Sequence, residues 1–131
     1  IGRENYDWIK KTFSGNGFKV FALHHHLIPI PRAGRGNNVL VDAGDVLELL
    51  DRSGVNLVLC GHWHIPWIWR LNDMLVISSG TVCSSKIRGK TSQCYNLIEF
   101  DAPESESQRW HVRVHRIFSG GEKERVVDSI I

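Results

Sequence analysis

Val55-Asn56-Leu57-Val58-Leu59 runs directly into Cys60-Gly61-His62-Trp63-His64, and this junction decides how the chain folds and where its chemistry lies. Five residues with one polar member read as a strand buried on both faces. The glycine lets the backbone turn sharply at the strand end and keeps a side chain out of the turn. Two imidazoles one residue apart then follow. A second junction has the same form: Phe18-Lys19-Val20-Phe21-Ala22 ends in Leu23-His24-His25-His26. Five of the seven histidines therefore sit at the ends of two apolar strands.

Working outward, Tyr6, Ile9 and Phe13 recur with helical spacing and are stopped by Ser14-Gly15-Asn16-Gly17. The strand from Phe18 to Leu23 carries one charge, which predicts a central place in its sheet. Pro29, Pro31 and the run Arg32 to Asn38 predict an exposed loop. Asp42 is placed to cap a helix, with Asp45 as capping-box partner. Val46, Leu47, Leu49 and Leu50 form its buried face and Gly54 its stop. After the histidines the pattern changes to strands joined by short turns: Trp67 to Leu71, Met74 to Ile77, Tyr95 to Phe100, and Trp110 to Ile117. In the last of these His111 and His115 fall on the wet face. Asp101 to Gln108 reads as a polar turn, and residues from 119 to 131 as a polar tail, loose as far as Val126. The expected class is α/β (α+β): a mixed sheet with antiparallel strands at its C-terminal end.

Composition bounds the function. The chain has 131 residues, 42% hydrophobic and 23% charged, with a formal net charge of +2. That composition describes a globular domain. The small positive excess makes nucleic acid an unlikely partner while suiting an anionic substrate. No apolar run reaches the ~20 residues of a membrane span. Cys60, Cys83 and Cys94 have no paired spacing and an odd count, which points to free thiols and a cytoplasmic address. The chain opens on Ile1 rather than Met, so the absence of a signal peptide says nothing of the intact protein.

Neutral imidazoles at roughly 2.0–2.2 Å are ligands for Zn, Mn or Fe, provided they converge from different chain segments. In open α/β sheets ligands bind beyond the carboxyl ends of strands, where both histidine groups lie. A lone histidine at a strand end is ordinarily a hydrogen-bonded surface residue. The paired pattern is what raises His24, His62 and His64 to candidate metal ligands. His25 and His26 are weaker candidates: one of the two is expected to contact substrate, His25 being the choice, or a group behind the ligands, and the plainer reading of each is packing or solvation. Lys86, Arg88, Lys90, Arg32 and Arg35 read as solvated basic loops that would also suit an anionic leaving group. Trp63, Trp67 and Trp69 read as packing residues beside the site.

Ala22-Leu23-His24-His25-His26-Leu27-Ile28-Pro29 together with Gly61-His62-Trp63-His64 resembles the last two motifs of the calcineurin-like metallophosphoesterases. The intervening helix and the Ser79-Gly80-Thr81 turn resemble the branch similar to cyclic-nucleotide phosphodiesterases. The resemblance covers about Tyr6 to Phe100. It implies part of a four-layer αββα sandwich and hydrolysis of phosphomonoesters or phosphodiesters by hydroxide generated on two divalent ions (Mn, Fe or Zn). His24 and His62 would hold one ion and His64 its neighbour.

The departures are as informative. The family's Asp-x-His, Gly-Asp and Gly-Asn-His motifs do not occur before His24. Gly44-Asp45 and Gly36-Asn37 look like two of them but fall on the wrong side of it. Residues 1–118 therefore resemble the C-terminal half of such a domain. Half a sandwich would expose apolar sheet surface, so the expected partners are an upstream half of the domain, a companion chain or a second copy. By itself the segment is expected to bind metal weakly and to be weak or inactive as an enzyme. Two rival readings are a non-catalytic binding module that retains the fold without the carboxylates, and a mononuclear three-histidine zinc site.

Overall fold

The computed structural model describes residues 1–31, 39–87, 91–104 and 109–131. A 3-10 turn at Arg3–Asn5 leads into α1 (Tyr6–Thr12), followed by β1 (Val20–Ala22), α2 (Ala43–Arg52) and β2 (Leu57–Cys60). Then come β3 (Trp67–Leu71), β4 (Met74–Ser78), β5 (Cys94–Asp101), β6 (His111–Phe118) and β7 (Lys123–Ile130). The first four strands form one sheet in the order β1-β2-β4-β3, the last three another in the order β5-β6-β7. β1, β2 and β4 are mutually parallel, and β3 returns antiparallel to β4. The second sheet is antiparallel throughout. This is the mixed α/β class that the sequence predicts.

Alternation along the strands divides the interior into two cores. Val58 and Val76 face α1 and α2, packing with Ile9, Val46, Leu49 and Leu50. Their strand neighbours Leu57, Leu75 and Ile77 face the second sheet and pack on Val112 and Val114. The layers therefore run helix, sheet, sheet, as in three of the four layers of an αββα sandwich. Phe18, stacked on Phe100 at 4.3 Å and edge-on to Trp110, fastens the two sheets together. Among the described residues no helix is long and apolar enough to cross a membrane.

Four expectations change on contact with tertiary structure. Among the described residues β1 is not central: it pairs with β2 and stands at the end of the strand order, with Val20 40% exposed. Low charge reported on the burial of Phe21, which faces the helices, but not on strand order. The capping box at α2 does not form. Asp42 makes no side-chain cap bond. Its carboxylate instead accepts hydrogen bonds from the Ile1 ammonium at 2.9 Å, the Gly2 amide at 3.0 Å and the Tyr6 hydroxyl at 3.2 Å. Bonding to the ammonium holds its carboxyl low, at about 2. Asp45 turns to Arg3.

The third change is the C-terminal segment expected as a loose tail. Lys123–Ile130 pairs along β6 through a register shift between Val114 and His115, with Ile131 buried and bonded in both directions to Trp110. Val126 and Val127 supply its apolar contacts. Its polar residues lie on the wet side, so the pattern resembles a tail only when read without its partner. The fourth is His115, expected on the wet face. It lies 7% exposed, because Leu97 and Arg125 stand opposite it on the two flanking strands and Glu99 binds its Nε2 at 2.8 Å. The predicted loop from Arg32 to Asn38, with its Gly36-Asn37 look-alike, lies outside the described residues, as do Arg88, Lys90 and part of the Asp101 to Gln108 turn.

Candidate metal centre

Parallel pairing of β1 with β2 sets Ala22 opposite Leu59. The ladder continues past both strand ends: the Leu23 amide donates to the Leu59 carbonyl at 2.9 Å, and the Gly61 amide to the His24 carbonyl at 3.1 Å. The chain segments bearing His24 and His62 are thereby held side by side. Because the strands are parallel, both histidine groups emerge at the same end of the sheet. His24 Nε2 and His62 Nδ1 lie 2.8 Å apart. His25 stands beside them, its ring 5.0 Å from those of both His24 and His62. All three are exposed.

The turn after β2 has unusual backbone. His62 adopts φ 76° and His64 φ 60°, the left-handed region that a residue with a Cβ enters at a cost. The left-handed turn is also what directs the His62 ring back toward His24. Gly61 comes within 3.5 Å of the Ser79 hydroxyl at the position a Cβ would occupy. Ser79 ties the floor of the turn, its amide and hydroxyl both donating to the Cys60 carbonyl at 2.9 Å and 3.2 Å. His64 points elsewhere: its Nδ1 lies 3.4 Å from the Lys86 carbonyl.

Beneath the exposed trio lies a buried pair whose contact the sequence did not reveal: His26 is 2% exposed, and its Nδ1 is 3.5 Å from the Sγ of Cys60, a buried free thiol as expected. Burial pushes the Cys60 thiol up to about 11, so it stays protonated and inert. Burial, with three neighbouring imidazoles adding to it, lowers the His26 pKa and keeps that ring neutral. Alternation gave no signal for it: residues two apart share a face in a strand, yet His24 is exposed and His26 buried, because the chain has left β1 at Ala22 before either residue. The tryptophans separate as well. Trp69 packs into the core beside the helices, while Trp67 is 40% exposed where β3 begins.

The donor set fits part of the metal site that the motifs imply. Two imidazole nitrogens, His24 Nε2 and His62 Nδ1, meet at hydrogen-bonding distance. Two nitrogens sharing an ion at ~2.0–2.1 Å each stand roughly 3.3 Å apart, so a separation of a few tenths of an ångström converts the proton-linked pair into an ion-linked one. Among the described residues, no three of His, Cys, Asp or Glu are arranged to hold an ion together. The structure thus brings together His24, His62 and His25, and leaves His64 turned onto the Lys86 backbone.

Comparison with known proteins follows from this geometry. Residues 1–66 match the model of the calcineurin-like phosphoesterases, half of the chain, and the chain belongs to that family. A protein of Xenorhabdus bovienii described as a probable cyclic nucleotide phosphodiesterase is 28% identical over 98 residues, covering 70% of this chain and 40% of the relative. Among solved structures, GAP50, the anchor in the inner membrane complex of Plasmodium, aligns with a TM-score of 0.58 at 18% identity, over 96% of this chain and 42% of its own. Zinc-complexed Vps29 of Entamoeba histolytica aligns with a TM-score of 0.47 at 17% identity, over 85% of this chain and 55% of its own. The chain thus spans 40% of the curated relative and 42% and 55% of these two solved structures.

Proposed function

From membership of the calcineurin-like phosphoesterase family, we propose that this chain supplies the histidine half of a metal-dependent phosphoesterase site that cleaves phosphomonoesters or phosphodiesters. The observation that carries the reading is the meeting of His24 and His62 from two separate strand ends at 2.8 Å. Their neutral nitrogens would hold one divalent ion. His64, released from Lys86 by a turn of its ring, would hold a neighbouring one. Divalent ions in such a pair, Mn, Fe or Zn, supply charge neutralisation at the phosphate and water activation at neutral pH.

The chain's own residues then have distinct tasks. His24 and His62 fix the position of the reacting phosphate. His25, exposed beside both, contacts a substrate oxygen. The Gly61 turn leaves open the approach that a side chain would block. The carboxylate and asparagine ligands of the family would come from an upstream half of the domain, on the same polypeptide or a companion, or from a further copy in a homo-oligomer. The name of the Xenorhabdus relative favours a phosphodiester, and the absence of a membrane-spanning helix among the described residues is compatible with a cytoplasmic address.

The test is hydrolysis of 4-nitrophenyl phosphate and its bis-ester with Mn²⁺, with and without a chelator, by the chain alone and with its upstream sequence restored. Chelator-sensitive turnover by the restored protein, lost in His62→Ala, is the expected result. A restored protein that turns over either ester equally well without metal refutes the reading. The orientation of His64 favours one other reading, a binding module of the same fold without catalysis. Metal uptake without turnover by the restored protein would establish that alternative.

A further inference from the structure

His26 is buried although both of its ring nitrogens are polar. Its backbone is held from a second direction by a parallel bridge to Val39, and its carbonyl accepts from the Leu40 amide at 3.1 Å. Its side chain reaches Cys60, whose Sγ lies 3.5 Å from His26 Nδ1 and 3.5 Å from the Ile77 carbonyl. The other nitrogen, Nε2, is sealed from solvent with no partner among the described residues. Leucine, of similar size, would fill this space without desolvating a ring nitrogen that receives no bond in return. Packing alone therefore does not account for a histidine here.

The location supplies an account. His26 is two residues after His24, and Cys60 two before His62. Their contact joins the same two chain segments whose outer ends carry the meeting imidazoles. The segments are therefore tied by the ladder bonds from the Leu23 amide to the Leu59 carbonyl and from the Gly61 amide to the His24 carbonyl, and again by the buried nitrogen–sulfur contact.

We propose that His26 and Cys60 are positioning residues whose buried contact fixes the spacing of the His24 and His62 segments, holding their nitrogens ready for a shared divalent cation. This rests on reading the His24–His62 pair as ion ligands. Groups that orient metal ligands from behind alter affinity by about 10- to 100-fold when removed.

The experiment uses the chain with its upstream sequence restored, as wild type and in four variants: His26→Leu, His26→Asn, which retains an amide near the Nδ1 position, Cys60→Val, and the double His26→Leu/Cys60→Val. Zn²⁺ affinity is measured by competition with a chromophoric chelator. Metal-free melting and the ring nitrogen resonances of His24 and His62 are recorded in parallel. The expected result is about a tenfold loss of affinity in His26→Leu and in Cys60→Val, with metal-free melting equal to or above wild type. The double variant should lose no more than the weaker single, because one contact is being removed. His26→Asn should recover most of the affinity, and the His62 Nδ1 resonance should move in His26→Leu before any metal is added.

Unchanged affinity with an unmoved resonance in either single variant overturns the proposal. So do losses that add in the double variant, or losses that track melting temperature across the whole set, Asn included. Should His26→Leu fail to fold, Cys60→Val and His26→Asn decide by the same criteria. If the wild type takes up no Zn²⁺, the ion-ligand reading falls, and the His62 resonance decides positioning: moved sustains it, unmoved ends it.

Discussion

Replacing His64 by glycine and by alanine separates the cost of its backbone from the use of its ring. His64 sits at φ 60°, where a residue with a Cβ pays about 1–2 kcal/mol that glycine does not. Glycine in turn loses about 0.4–1 kcal/mol more backbone freedom on folding. Both variants forfeit the same long contact to the Lys86 carbonyl at 3.4 Å, so that term cancels between them. His64→Gly should therefore be more stable than His64→Ala by about 1 kcal/mol. For 131 residues the unfolding entropy is about 275 cal/mol/K, so the gap corresponds to about 4 °C in melting temperature. Thermal unfolding followed by circular dichroism measures it. Metal uptake by the protein with its upstream half restored should fall equally in the two variants, since the lost nitrogen is the same. An alanine variant as stable as the glycine variant would refute the strained backbone at this position. Unequal metal uptake would refute the separation of strain from ligation.

The other predictions are briefer. Leu75→Ala, at a side chain 2% exposed between the sheets, should destabilise by about 3 kcal/mol in urea unfolding. Val41→Ser, at a fully exposed side chain ahead of α2, should stay within about 0.5 kcal/mol of wild type. Contacts with His115, Arg113 and His111 hold the Glu99, Asp101 and Asp128 carboxyls below their ordinary values of 4.5 and 3.8. The unfolded chain thus takes up these protons first, and stability should be fully present above about pH 5 and fall as pH drops through the carboxylate range. Arg113→Ala, which removes the two-pronged partner of Asp101 at 2.8 Å and 3.3 Å, should flatten that decline in urea midpoints between pH 6 and pH 3. Asp42→Asn should cost about 1–2 kcal/mol by weakening the bonds to the Ile1 ammonium, the Gly2 amide and Tyr6. Equal urea midpoints for variant and wild type would show those bonds to be dispensable.

The placement of the site follows from the sense of the strands. β1 and β2 are parallel neighbours, so residues that follow each of them emerge at one edge. Histidines behind antiparallel neighbours would have emerged at opposite ends. The helices cover one face of the first sheet and the second sheet covers the other, so the histidine-bearing loops lie beyond the strand ends, outside both cores.

The sequence alone determined the first six strands, the two helices and the two histidine groups, because each leaves a local mark: helical spacing in Tyr6, Ile9 and Phe13, largely apolar runs before Leu23 and Cys60, and a glycine ahead of His62. It also placed His24 and His62 together through the family motif they carry. Tertiary structure alone decided that β1 stands at the end of the strand order among the described residues, that residues 123–130 pair with β6, that His26 is sealed beneath the site against Cys60, and that His64 turns to Lys86. None of these is written in a neighbouring residue. Each depends on which distant strand supplies a hydrogen-bonding edge, or on how a left-handed turn redirects the next side chain, and periodicity records the face of an element without recording what stands opposite it.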